Sequence, residues 1–431
     1  SDNTLCGGES ATDSPYIQQI DDMIHTPVGQ SDGGLRTMWQ WMYEAVNRCN
    51  YIMEFEDNLV FDNKTSVIAQ TRFLRAYYNF ILVKWWGDVP MLEDKRIRFG
   101  DQFTIDRVPQ ADVYALIEAD LIFAATNLPY VQSQTGRVTK GAAEALLGRA
   151  YLYQDKFDEA ADVLENLIAN GPHRLLTSSE YPEMFERDNE NNIESVFEIQ
   201  YTDKEGAGFG CLQCSEGNVA VGFNGIRNYS GPVFESGFSF NVPTQEVFDA
   251  FDQDDVRRDL AILDIEAFAD AYSDFNNGAG VTYTEGFEHT GYFNRKYIPR
   301  VGDTNIGDQN LTNPNNYRAI RFADVLLMAA GAYNRGGIDD SKALSYLNRV
   351  RARAFGNTDH AVSSTGAALT EAIAHERRVE LVGEGHRFFD LVRTGKGTLI
   401  PGFTANKNEV FPIPFEEIQF ANGNWAQNPN Y

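Results

Sequence analysis

The stretch from residue 139 to 172 constrains the fold more than any other part of the chain. Leu147-Gly148-x-x-Tyr151 is followed by Ala160-x-x-x-Leu164 and then Pro172, the spacing of a tetratricopeptide repeat. Small residues let two helices approach closely, while the tyrosine and leucine fill the space between neighbouring repeats. One such unit cannot bury its apolar face alone, so about three or more must stack to make a continuous core. A looser echo runs from Tyr333 through Gly336-Gly337 to Ala343-x-x-x-Leu347, and Arg75-Ala76-Tyr77 lies in half of another. The expectation is a mostly α protein whose repeats are dispersed in sequence but stacked in space.

Helical periodicity supplies the remaining scaffold. Leu35, Met38, Trp39, Met42, Tyr43, Val46, Cys49 and Ile52 recur at spacings of three and four, which predicts a helix over 36–57. Further helices are predicted over 65–86, ended by Gly87-Asp88-Val89-Pro90, and over 108–127, with Pro109 in its first turn. Others follow at 317–333, 341–354 and 366–394. Residues 195–201 alternate as a short strand does. The next hundred residues are rich in Gly, Asn and aromatic side chains and have little periodicity, and so many rings argue against disorder. The chain therefore reads as one domain over 1–431, with helical scaffold at 1–195 and 311–431 and a loop-rich, short-stranded insertion at 196–310.

Charge and motifs narrow the function. Lys and Arg total 36 against 62 Asp and Glu, a net charge of -26, which repels a nucleic-acid backbone, and no local basic patch offsets it. No run approaches ~18 apolar residues, so no membrane-spanning helix is expected. There is no G-x-S-x-G, H-E-x-x-H, G-x-x-x-x-G-K-[ST] or complete G-x-G-x-x-G, and the six histidines lack ligand spacing. No catalytic residue, metal site or cofactor is assigned. Asp252, Asp254 and Asp255 before Arg257-Arg258 read as a solvated helix end with ion pairs rather than a calcium site. Cys49 reads as a buried thiol, and Cys211-x-x-Cys214 as a local disulfide, with a redox pair or half a zinc site as alternatives. Acids and arginines at helical spacing over 376–393 read as a structural clasp of ion pairs.

Several blocks together resemble the SusD/RagB family of outer-membrane nutrient-binding lipoproteins. They are Trp39-x-x-x-Tyr43 with Asn47-Arg48-Cys49-Asn50; Arg72-Phe73-Leu74-Arg75-Ala76-Tyr77 through Gly87-Asp88-Val89-Pro90; residues 317–328; the 376–393 clasp; Phe411-Pro412-Ile413-Pro414; and the closing Gln427-Asn428-Pro429-Asn430-Tyr431. The resemblance implies a right-handed tetratricopeptide-like scaffold and a non-catalytic glycan-binding role. It also implies a SusC-like TonB-dependent transporter as partner. The location implied is the extracellular side of the outer membrane, through a lipid anchor expected upstream of this chain rather than at Cys6.

Family ligand sites lie on exposed loops, whose contacts vary. A carbohydrate site needs ring faces for sugar C–H surfaces, and amides, carboxylates or arginines for hydroxyls. On that chemistry the candidates are Asp2, Asn3, Tyr16, Trp41, Phe209, Asn224, Arg227, Tyr229, Phe234 and Tyr283, with Trp39 and Trp86 assigned to the core. Net charge favours a neutral glycan such as a β-glucan, unless Arg227, Arg295, Lys296 and Arg300 form a local cationic cluster. A helical-scaffold glycoside hydrolase with an unidentified carboxylate pair and a tetratricopeptide adaptor for protein partners are the alternatives.

Overall fold

The computed structural model describes the chain except residues 28–33, 205, 207, 212–215, 304–306 and 309. The fold is mostly helical, with short strands in its loop regions. It divides into two compact units: Ser1–Asp21 with His173–Asp390, and Asp22–Pro172 with Leu391–Tyr431. These boundaries fall elsewhere than the 195/196 and 310/311 boundaries read from the sequence.

The second unit carries the repeat spacing. Helices Leu35–Glu54, Lys64–Trp86, Gln110–Asn127, Lys140–Leu152 and Phe157–Asn170 each pack on the next in chain order. At the crossing of the last two, a Cβ on Gly148 would lie 2.5 Å from Leu164 Cγ, so the small residue sets how closely the helices approach. Arg75 is buried among three of the helices and their loops. Its guanidinium donates to both oxygens of Asp120 (2.7 and 2.8 Å), to Asn50 Oδ1 (3.0 Å) and to Asp94 (2.7 Å). The surrounding carboxylates hold its pKa above the ordinary value against the opposing pull of burial. Trp86 packs edge-on to Trp39 at 5.1 Å and donates to Pro412 O, and Asn428 donates to the carbonyls of Trp86 and Phe411. The C-terminal segment is thereby stitched to the helices.

The first unit joins a second helical group, Phe322–Arg335, Asp340–Phe355 and Gly366–Glu380, to short two-stranded sheets. Two expectations are corrected here. Residues 317–321 are not the start of a helix but a strand, Tyr317–Arg321, antiparallel to Ser195–Ile199. Pairing with a distant partner overrides local helical preference. The helix expected over 366–394 is broken into Gly366–Glu380 and Arg387–Arg393. Gly383 and Gly385 between them have φ of 77° and 82°, a left-handed conformation no helix continues through.

Ion pairs fill the interior of this unit. Arg257, Lys296, Arg321, Arg351 and Arg353 meet Glu194, Asp255, Glu376, Glu380 and Glu384. Arg321 alone reaches Glu194 (2.8 Å), Glu380 (2.9 Å) and Glu384 (2.7 Å). Asp255 is buried and accepts from Arg257 Nε at 2.9 Å, so the helix end read as solvated is an interior ion pair. Nearby, Arg377 bridges Asp324 and Asp390. The surrounding cations hold the Glu380 and Glu384 carboxyls below the usual carboxylate range, although burial pushes the other way.

Two outcomes follow for stability. Gly148→Val should cost about 1–3 kcal/mol through overpacking, read as a lower urea midpoint at unchanged slope. Glu380→Gln, which strands buried guanidiniums, should cost roughly 3–5 kcal/mol. Because the two glutamate pKa values are depressed on folding, their contribution is present above an ordinary carboxylate pKa of about 4.3 and disappears as pH falls through the folded values. Urea midpoints should therefore drop steeply below about pH 5, and a flat acid limb would contradict this account.

Candidate functional site

In the first unit, strand Thr4–Gly7 pairs antiparallel with Phe240–Pro243. The approach is close enough that a Cβ on Gly7, whose φ is 72°, would sit 2.2 Å from Ser239 O. The ladder extends through Gly8 N to Ser239 O (2.8 Å) and Phe287 N to Gly8 O (2.8 Å). The N-terminal segment is thus fixed against the loop-rich region. On this frame Arg227 donates to Phe238 O at 3.1 Å and lies 3.5 Å from Asp13 and 3.7 Å from Glu9. Phe209 packs edge-on to Phe238 at 5.9 Å, Phe238 edge-on to Phe223 at 5.5 Å, and Phe223 against Phe240 at 5.1 Å. Phe209 is 62% exposed, while Phe223 and Phe238 are half-buried. Thr284 N donates to Arg227 O, and Asn228 donates to Thr284 Oγ1 at the same edge. The result is a row of partly open ring faces beside a guanidinium held between two carboxylates.

The residues singled out in the sequence take different places. Phe209 and Arg227 lie on this surface. Tyr283, one residue from Thr284, is half-buried and packs on the adjoining cluster. Tyr16 is half-buried on the short helix Pro15–Asp21. Asp2 is ion-paired with Arg387 at 2.6 Å, and the Asn3 side-chain Oδ1 accepts from Arg378 Nε at 2.7 Å, so both help hold the N-terminal segment. Asn224 is buried and its oxygen accepts from Asn241 (2.8 Å) and Asn294 (3.2 Å). Tyr229 and Phe234 sit inside an apolar cluster with Ile226, Leu263 and Phe293, where the Tyr229 hydroxyl donates to Pro232 O. Burial pushes that phenol well above its ordinary pKa. Trp41 belongs to the second unit, on the Leu35–Glu54 helix, and is 44% exposed. Trp39, Trp86 and Cys49 are buried, as expected. Cys211 is disulfide-bonded; Cys214 lies outside the described residues.

Of the local cationic cluster, Arg295 and Arg300 lie together, Arg300 donating to Arg295 O at 3.0 Å, while Arg227 and Lys296 are held elsewhere. Arg300 is bound through its guanidinium to Glu186, Lys296 is buried against Glu384, and Arg295 donates to Asp259 O. Each charge is committed to its own partner. Sequence reasoning did not select Phe223, Phe238, Glu9 or Asp13. Their only signal was position within the aromatic-rich stretch or next to the N-terminal segment.

The second unit holds a separate recess of about 830 Å³, lined by Tyr43, Asn47, Tyr51, Phe99, Phe420 and Trp425 among others. Three of its polar residues are engaged within the protein. Tyr43 donates to Pro90 O, Asn47 exchanges two hydrogen bonds with Ile97, and Trp425 donates to Ile105 O. Arg96 lies over the Tyr51 ring at 4.4 Å. Arg48, Arg96 and Arg98 edge this groove, each paired with Glu44 or Glu54.

The first unit thus carries a loop-borne surface of partly open aromatic rings on a frame of short strands. Comparison with known proteins names the family. The model of the SusD family matches residues 183–399, and a second, described as starch-binding associating with outer membrane, matches 7–152. A laminarin binding SusD-like protein is 34% identical, with a TM-score of 0.89, covering 100% of this chain and 92% of that one. Surface glycan-binding protein A from Bacteroides thetaiotaomicron, in complex with laminarihexaose, is 27% identical with a TM-score of 0.86 at the same coverage. SusD-like protein P2 from Formosa agariphila is 26% identical over 428 residues, 94% of this chain and 82% of that protein. The chain belongs to the SusD family, and so to the non-catalytic, outer-membrane-associated surface glycan-binding proteins.

If Arg227 orders the ring surface, Arg227→Ala should free the 238 carbonyl and lower the protection of neighbouring amides in hydrogen exchange. The melting temperature should shift by only a few degrees, because the guanidinium lies at the unit's edge. Unchanged exchange would remove its positioning role.

Proposed function

We propose that this chain captures a neutral β-glucan of the laminarin type on the surface formed by Phe209, Phe223, Phe238 and Arg227. The carrying observation is the full-length likeness to two β-glucan binders, one 34% identical and described as laminarin binding, the other in complex with laminarihexaose. Local chemistry supports the same reading. Ring faces suit the C–H surfaces of glucose units, and Arg227 with Asp13 and Glu9 offers donors and acceptors to hydroxyls. Two carboxylates around one guanidinium leave no surplus positive charge for a uronate or sulfate, and the net charge of -26 adds a repulsive field. The captured glycan is then delivered to a SusC-like TonB-dependent transporter, with the protein held at the extracellular face by an N-terminal lipid anchor. In this reading 196–310 is the ligand-binding insertion and the helices are its support.

Affinity electrophoresis tests it. Laminarin in the gel should retard the protein, alginate should not, and no reducing ends should be released. Phe209→Ala and Phe238→Ala should each weaken binding about 5- to 10-fold, the ~1–1.5 kcal/mol of an aromatic contact. Release of saccharide, or equal retardation of both ring variants and the parent, would sink the proposal.

A further inference from the structure

A second recess in the first unit, about 370 Å³, is walled by Asn224, Asn241, Tyr317, His386 and Phe388, with Asn3 at its edge. That volume is at the small end for ligand pockets, room for about a dozen waters at ~30 Å³ each. Its amides are linked in a fixed order. Asn241 donates to Asn224 Oδ1, Asn294 donates to the same oxygen, and Asn294 also donates to Gly383 O at 3.1 Å. This chain sets which end of each amide is oxygen and which is nitrogen. It also leaves spare valences: among the described residues no donor reaches Asn241 Oδ1 and no acceptor reaches Asn3 Nδ2. Behind the lining, Asn294 Oδ1 is buried with no hydrogen-bond partner among the described residues, beside Gly383, where a Cβ would come within 2.4 Å of it. Amide groups left open on a recess wall are free to take up a ligand or water.

The charged groups around the recess are already matched. Glu384 is held by Arg321 and Lys296, and Arg387 is held by Asp2. What the recess offers a ligand is therefore neutral amide donors and acceptors, preset in orientation, next to the rings of Tyr317 and Phe388. An anion would find no unpaired cation, and an apolar molecule would leave the amides unsatisfied. We infer that this recess is a binding pocket for a single neutral sugar unit, separate from the ring surface around Phe209; the inference rests on the glycan-binding reading above.

Ala220 lines the recess and is exposed. Only its backbone takes part in hydrogen bonds, to Asn218 and from Asn224. Ala220→Trp therefore fills the space without touching the amide chain, and Ala220→Leu is a milder version should the larger residue impair folding. The probes are methyl β-D-glucoside, followed by saturation-transfer NMR, and laminari-oligosaccharides of two to six units, followed by calorimetry. The parent should show saturation transfer from the glucoside, and both variants should lose it while keeping the parent's melting temperature. Their affinity for the shortest oligosaccharides should fall at least tenfold. Phe209→Ala should leave the glucoside signal intact. A glucoside signal abolished by Ala220→Trp, with no oligosaccharide binding by any form, would uphold the pocket while ending the β-glucan reading. Folded variants with unchanged glucoside and oligosaccharide binding, or a parent with no glucoside signal, would overturn the pocket and identify it as a structural water cavity.

Discussion

The arginine–carboxylate network inside the first unit is the constraint on which the rest of that unit depends. Burying one charge in a protein interior costs several kcal/mol unless it is paired and hydrogen-bonded, and an incomplete network is worse than none. Arg321 shows how tightly the network specifies structure. It ends the Tyr317–Arg321 strand and precedes the Phe322–Arg335 helix, yet its guanidinium needs Glu194 from before one strand and Glu380 and Glu384 from around a helix end. Those groups come together in one arrangement of the chain only. Arg75 does the same on a smaller scale in the second unit, where one guanidinium joins Asp120, Asp94 and Asn50. Such pairs add modest net stability, since apolar residues of similar volume would pack as well. What they enforce is register, because any other packing leaves a bare charge inside.

That requirement explains the polar character of the loop-rich region. Short strands such as Thr4–Gly7 and Phe240–Pro243 have few ladder bonds of their own, so their positions are fixed from outside, by Arg387 on Asp2 and Arg378 on Asn3. Asp2 and Asn3 look like ligand contacts in sequence because they are polar and lie near a family binding block. In the fold Asp2 and Asn3 Oδ1 are where Arg387 and Arg378 grip the N-terminal segment, and Asn3 also edges the Asn241 recess. Arg227 repeats the pattern at the surface, tying Phe238 to the segment that carries Glu9 and Asp13.

The helices were legible because a 3.6-residue period leaves a repeating trace in the sequence, and the repeat spacing at 139–172 predicted the Gly148–Leu164 crossing. Strand Tyr317–Arg321 was not, because its partner lies over a hundred residues away and its own pattern, Tyr-Arg-Ala-Ile-Arg, suits a helix equally well. The binding surface was half legible. An aromatic-rich loop announces rings but not which of them face water. Phe234 and Tyr229 went inside because Ile226, Val242, Leu263, Ile265, Phe293 and Ile298 converge on them from four separate segments, a meeting no local window displays. Phe209 stayed outside, beside Cys211. The groove around Tyr51 and Phe99 was missed for the same reason, since its walls come from residues near 40, 100 and 420.

The aromatic surface and the two recesses described above differ in the polar atoms they offer. The Tyr51 groove sets ring faces beside the ion-paired Arg48, Arg96 and Arg98. Around Phe209 the rings are open and the charges beside them compensate one another. In the Asn241 recess no charge is available, yet amide groups of fixed orientation remain unpaired. A chain with 62 acidic residues could have kept cationic sites by leaving a few arginines free. Instead the fold uses Arg295, Lys296, Arg300, Arg321 and Arg387 internally, each at a carbonyl or carboxylate. The preference for an uncharged ligand proposed above is then a by-product of how the first unit holds itself together. Cations consumed in fixing the loops cannot also attract an anionic glycan.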